Sequence, residues 1–136
     1  MTIEFEKQFL KPILKNTKKH TIRKDANNKY RVGMTIKLAE RIKNKITWFC
    51  ITKIISIQQI VITVTDEKTN IDIDGIRYAT LKADKFYHPS NFNICRLNTL
   101  AENSGFNSIQ DFFDYFITPD NDTYEGKIIH WDLIQY

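Results

Sequence analysis

Hydrophobic and polar residues alternate in two distinct rhythms along this chain, and the rhythm changes once. Up to about residue 80 the period is short. Ile3 and Phe5 flank Glu4, and Ile60, Ile62 and Val64 alternate with Val61 and Thr63, as a strand with one core-facing side requires. Thr35–Ala39, Ile46–Ile55 and Gln59–Thr65 are rich in Ile, Val, Thr and aromatic residues, the composition of strands. Ile71-Asp72-Ile73 and Ile76-Arg77-Tyr78 flank Asp74-Gly75, a pair that specifies a two-residue hairpin because glycine accepts positive φ without strain. Earlier, Phe9 to Lys15 reads as a short helix. Phe9 and Ile13, with Leu10 and Leu14, are its candidate buried positions, Pro12 sits in its first turn and Asn16 is a left-handed stop. Lys18 to Asp25 then reads as a turn entering a strand, and Asn27-Asn28 as a loop.

After residue 90 the period lengthens. Ile94, Leu97, Leu100, Ala101 and Ser104 fall on one helical stripe that ends at Gly105, a good residue to follow a helix. Ser108 is an N-cap with Asp111 three residues on. Ile109, Phe112, Phe113, Phe116 and Ile117 then mark a helix whose apolar stripe is core. Thr118-Pro119-Asp120 ends it, and Gly126–Trp131 is a closing strand. Tyr87-His88-Pro89 punctuates a loop. Strands outnumber helices without regular strand–helix alternation, so the fold class is α+β. With 136 residues, 4 Gly, 3 Pro and no linker-like stretch, residues 1–136 read as a single domain.

Composition narrows the function classes. Apolar residues make up 42% and charged residues 26%, which fits neither a disordered chain nor a membrane protein. The start of the chain is acidic and lacks a long apolar segment, so the expectation is a cytoplasmic protein. Phosphate-loop and dinucleotide glycine motifs are absent. Cys50 and Cys95 form no CxxC and sit in apolar surroundings, which suggests buried free thiols. His20, His88 and His130 lack metal-ligand spacing, so neither a metal nor a cofactor is expected, and His20 and His130 read as satisfied structural histidines. Trp48 and Trp131 are candidates for stacking on a base, but their apolar strands favour core packing.

Charge changes the picture most. The chain carries a net +4, yet its first 50 residues hold 13 Lys and Arg against 4 Asp and Glu. The remainder is net acidic. A basic segment of this density suits an anionic partner, phosphate above all. Its densest part is Lys15-Asn16-Thr17-Lys18-Lys19-His20-Thr21-Ile22-Arg23-Lys24-Asp25. A lysine whose amine is desolvated can activate a neighbouring threonine hydroxyl, and an arginine beside them can hold a phosphate or an oxyanion. Arg23 also suits an ion pair with an acidic residue of the C-terminal part.

The ordered set Phe9…Ile13…Lys18-x-x-Thr21-Ile22-Arg23, the Gly33 turn, Ile57-Gln58-Gln59-Ile60, Asp74-Gly75, Ala101–Phe113 and Gly126–Trp131 resembles the ASCH family of the PUA-like superfamily, in particular its phage- and prophage-type members. The resemblance implies a PUA-like β-barrel with flanking helices and a cleft lined by Lys18, Lys19, Thr21, Arg23 and Lys24, binding RNA or a modified nucleoside or nucleotide. More distantly, the chain is similar to bacterial amidohydrolases that deacylate N(4)-acetylcytidine. That likeness implies Lys18 as base and Thr21 as nucleophile. The carboxylate of that group falls near Ser104 in this chain. Glu102, two residues away and on another side of the helix, is the nearest substitute for it.

Overall fold

The computed structural model of the protein describes residues 1–82, 92–132 and 136. The Tyr87-His88-Pro89 segment lies outside the described residues. The architecture is α+β and mostly strand. β1 (Thr2–Phe5) leads through a single 3-10 turn, Lys7–Phe9, into α1 (Leu10–Leu14) and then β2 (His20–Arg23). Five strands follow in succession, β3 (Thr35–Ile42), β4 (Lys45–Lys53), β5 (Ser56–Val64), β6 (Lys68–Ile73) and β7 (Ile76–Lys82). Two helices, α2 (Phe92–Asn103) and α3 (Ile109–Phe116), precede β8 (Thr123–His130).

The strands form two sheets. One has the order β1-β3-β4, with β1 parallel to β3. The other has the order β2-β8-β5-β6-β7 and is antiparallel throughout. Among the described residues neither sheet closes on itself: β1 pairs only with β3 and β2 only with β8, so the hydrogen-bond ladder breaks between the sheets. The closed barrel implied by the resemblance is therefore not formed by these ladders.

Turn chemistry set the hairpins. Asp74 and Gly75 both take positive φ, 53° and 78°, between β6 and β7, as their sequence requires. Lys43 and Asn44 do the same between β3 and β4, at 48° and 66°. That second hairpin was not foreseen, because lysine rarely accepts this conformation and gives no warning of it. Asn16 is left-handed at the end of α1, as expected. Ser108 caps α3, its Oγ accepting from the Asp111 N–H at 3.1 Å.

β8 divides the interior into two cores. Ile128 faces a core shared by β5, β6 and β7 with the apolar stripes of α2 and α3, including Leu97, Leu100 and Phe112. Ile129, its neighbour, faces the opposite core, built from Ile3, Phe5, Phe9, Ile36, Leu38 and Ile54. Strand alternation places consecutive isoleucines in different cores. Trp131 is half-buried against this second core and meets Phe5 edge-to-face at 6.0 Å. Leu14 is exposed, because α1 ends before it can turn inward.

Two expectations need correction. Trp48 is not core but 55% exposed, because β4 is the edge of a three-stranded sheet whose outer face is uncovered by the described residues. The cysteines are not both buried. Cys95 lies off the buried stripe of α2 and is exposed, and Cys50 is half-buried.

His20 and His130 are register partners in β2 and β8, fully buried, with ring centroids 5.1 Å apart. His20 Nε2 meets the Tyr136 hydroxyl at 2.7 Å, and His130 Nε2 meets Gln58 Oε1 at 3.0 Å. Each Nδ1 lacks a partner among the described residues, so the pair is only half satisfied. Burial lowers the pKa of His130 to about 4, and burial with repulsion from Lys18 and His130 lowers that of His20 well below the usual value. Between about pH 4 and the ordinary histidine value near 6.5, the unfolded chain binds protons that the folded chain does not. Stability therefore rises with pH across this window and is lost as pH falls through it. His130 alone accounts for on the order of 3 kcal/mol of that loss. Denaturant melts of the native chain and of His130→Gln between pH 4 and 7 should show a steep fall for the native chain and a shallower one for the variant. Parallel curves would exclude the pair as the cause.

Candidate functional site

The cleft that holds the basic segment lies between β1, β2 and the junction of α2 with α3, with a volume of ≈ 430 Å³. Lys18, Thr21, Arg23 and Lys24 all line it. In a regular strand Lys18 and Thr21 would point to opposite faces. The chain avoids this by starting β2 only at His20. The Lys18 N–H is held instead by the Pro12 carbonyl, at 3.0 Å, and that of Lys19 by the Asn103 carbonyl, at 2.8 Å. Lys18 therefore enters the cleft from a turn and Thr21 from a strand.

Lys18 is only 3% exposed. Its Nζ donates to the Ser104 carbonyl and lies 4.6 Å from the centre of the Phe9 ring and 5.7 Å from that of Phe5. Burial, reinforced by repulsion from Arg23, holds its pKa well below the ordinary lysine value. Gly105 makes room for this side chain. It has a φ of +91°, and a Cβ built on it would stand 2.8 Å from Lys18 Cδ and 3.1 Å from Phe9 Cδ1.

Arg23 spans the floor. Its Nη2 donates to the Glu4 backbone carbonyl, its Nε to Thr21 Oγ1 at 3.4 Å, and its guanidinium lies 5.0 Å from the Phe5 ring centre. Lys24 sits 5.6 Å from the ring of Tyr124, whose pKa is pushed up to about 12 chiefly by burial. Aromatic walls close the remaining sides. Phe106 packs edge-to-face on Phe9 at 5.3 Å, and Tyr115 meets Phe106 at 5.3 Å.

Two acidic residues line the cleft, and both come from the N-terminus. Glu4 is engaged by Arg41 at 2.9 Å, and Glu6 accepts from the Tyr115 hydroxyl at 3.2 Å. Burial, with Glu6 beside it, raises the pKa of Tyr115. Glu102 stays outside. It is exposed on α2 and borders a separate depression with Lys19 and Asn103. Lys19 turns away as well, pairing with Asp132 at 3.2 Å. The structure thus brings together Lys18, Thr21, Arg23 and Lys24 and leaves Lys19 and Glu102 outside the cleft.

Glu4, Glu6 and Tyr115 escaped the sequence reading. A signal for Tyr115 existed, since it is the large side chain of α3 that lies off the apolar stripe. Nothing local in the sequence points from β1 to the basic segment, which the fold brings beside it. The chemistry available is a desolvated amine and a hydroxyl lining the same cleft, a guanidinium that pairs with no carboxylate among the described residues, aromatic faces and the Glu6 carboxylate. Among the described residues, no group of three or more His, Cys, Asp or Glu gathers as metal ligands, and no helix is long and apolar enough to cross a membrane. No protein-family model matches the chain, and no match was found among curated proteins or solved structures.

Proposed function

We propose that this protein binds RNA or a modified nucleoside or nucleotide in the Lys18 cleft, as a member of the ASCH group of PUA-like domains. The observation that carries this reading is the convergence of Lys18, Thr21, Arg23 and Lys24 with aromatic walls in one cavity of ≈ 430 Å³, a size suited to a single nucleoside. The rings offer faces for a base. Arg23 and Lys24 offer charge to a phosphate, and Glu6 offers an acceptor to an amino group of the base. The Gly105 turn that seats Lys18 falls within the Ala101–Phe113 stretch on which the resemblance rests.

The depressed pKa of the buried Lys18 favours one second reading, an amidohydrolase acting on N(4)-acetylcytidine. The neutral Lys18 amine takes the proton of the Thr21 hydroxyl as its oxygen attacks the acyl carbon. The C–N bond to the base breaks, and the Lys18 ammonium returns the proton to the leaving amino group. Water then hydrolyses the Thr21 ester, releasing acetate. Glu6 supplies the carboxylate that the family places near Ser104.

Calorimetric titration with cytidine monophosphate and with N(4)-acetylcytidine tests both readings. Arg23→Gln should weaken the nucleotide about 10- to 100-fold, as expected for the loss of charge-assisted bonds, and should reduce its salt dependence, leaving the part due to Lys24. Nucleotide affinity indifferent to Arg23 and to salt would overturn the binding reading. Cytidine release that survives both Lys18→Ala and Thr21→Ala would overturn the catalytic one.

A further inference from the structure

The outer face of the β1-β3-β4 sheet carries a second constellation, on the side of β1 away from Ile3 and Phe5. Trp48, Ile51 and Ile46 are 55%, 51% and 46% exposed there. The register explains how they come together. Lys53 faces Thr35, Ile51 faces Lys37, Trp48 faces Ala39 and Ile46 faces Arg41, while Phe49 is absorbed as a bulge opposite the Leu38–Ala39 step. Without that bulge, Trp48 and Ile51 would point to opposite faces of the strand. With it, register partners share a face, and Lys37 Nζ comes to 5.7 Å from the Trp48 ring centre.

Charge singles out the occupant. The β3–β4 hairpin holds Lys37, Arg41, Lys43, Lys45 and Lys53 against one acidic residue, Glu40. Glu40 alternates with Arg41 and so belongs to the other side of the sheet, and Lys45, which alternates with Ile46, goes with it. On the outer face Glu4, the register partner of Ala39, is neutralised by Arg41, whereas among the described residues Lys37 and Lys53, and Lys43 in the turn, pair with no carboxylate. A second copy of the chain meeting this face about a two-fold axis would set lysine against lysine. A polyanion with exposed flat rings satisfies both the cations and the indole. Only an unpaired strand offers it, because the bases of a duplex are covered by their neighbours.

We propose that this sheet face is a binding surface for single-stranded nucleic acid, with Trp48 as the stacking platform for a base and Lys37 and Lys53 as phosphate contacts. Ile46 and Ile51 extend the apolar floor on either side of the indole. The strand from Ile46 to Lys53 spans about 20 Å, room for a few nucleotides. Trp48, Lys37 and Lys53 line no part of the Lys18 cleft.

The test is fluorescence anisotropy of a labelled oligouridylate of about 12 nucleotides titrated with the full chain, at salt between about 50 and 200 mM. Trp48→Ala should weaken binding roughly 5- to 100-fold, and Trp48→Phe should restore most of it. Lys37→Gln should lower the slope of log affinity against log salt by about 0.7. These losses should be the same in an Arg23→Gln background, where the cleft is impaired. Oligouridylate affinity unchanged by Trp48→Ala, or no binding by the native chain, overturns the proposal. So does Trp48-dependent binding of phosphatidylserine vesicles, or a Trp48-dependent dimer in sedimentation, when oligouridylate binding does not share that dependence.

Discussion

Replacing Gly105 with alanine is expected to destabilise the protein by about 2–5 kcal/mol and to abolish ligand binding in the cleft. Two costs combine. A side chain at φ +91° carries left-handed strain of about 1–2 kcal/mol, and overpacking a filled site costs about 1–3 more. The new methyl would meet Lys18 Cδ at 2.8 Å and Phe9 at 3.1 Å. Lys18 cannot swing aside easily, because it is buried between rings with its amine on the Ser104 carbonyl. Chemical denaturation measures the first effect and nucleotide titration the second. A variant within about 0.5 kcal/mol of native, the range of ordinary surface changes, with binding intact would show that Gly105 does not shape the cleft.

Lys18→Met is expected to have the second large effect, and its sign depends on pH. The folded pKa of Lys18 lies well below 10.5, the unfolded value. Between the two, the unfolded chain holds the proton and the folded chain does not. The penalty for burying the amine is therefore full below the folded pKa and vanishes as pH rises to about 10.5. Methionine carries no such penalty. The native chain should gain stability relative to the variant as pH rises through this window, with a slope approaching 1.4 kcal/mol per pH unit, roughly the value of one proton. Ligand binding should be lost at every pH. Stability curves for the two proteins that run parallel up to pH 10 would mean that the amine is not desolvated.

Much of the fold was legible because the strongest signals were local. The Asp74-Gly75 hairpin, the Ser108 cap and the apolar stripe of α3 each depend on a few neighbouring residues, and each forms as read. What escaped depended on distance. Trp48 looked like core because its neighbours are apolar, but exposure was decided by β4 being an edge strand and by a bulge at Phe49. The Lys43-Asn44 turn was hidden because lysine gives no hint of positive φ. The closed barrel rested on resemblance, and the ladders stop short of closing.

The candidate site divided along the same line. Lys18, Thr21, Arg23 and Lys24 are close in sequence, and a turn before His20 brings them to one cleft. Lys19 belongs to the same run but points elsewhere, because its N–H and ammonium are held by Asn103 and Asp132. The carboxylate could not be found from spacing. Glu102 is near in sequence and lies outside, whereas Glu6 is nearly a hundred residues from Ser104 and lines the cleft with it. Cross-chain proximity of that kind is a property of the packed sheets and not of any segment.

The central claim is that the Lys18 amine is desolvated in a cleft that receives a nucleoside. A pH titration of the chain labelled with carbon-13 at the lysine ε-carbons, followed by NMR with and without cytidine monophosphate, tests it directly. One resonance, removed by Lys18→Met, should titrate well below the ordinary lysine range and shift when the nucleotide is added. A Lys18 resonance that titrates in the ordinary lysine range and does not respond to the nucleotide would contradict the account.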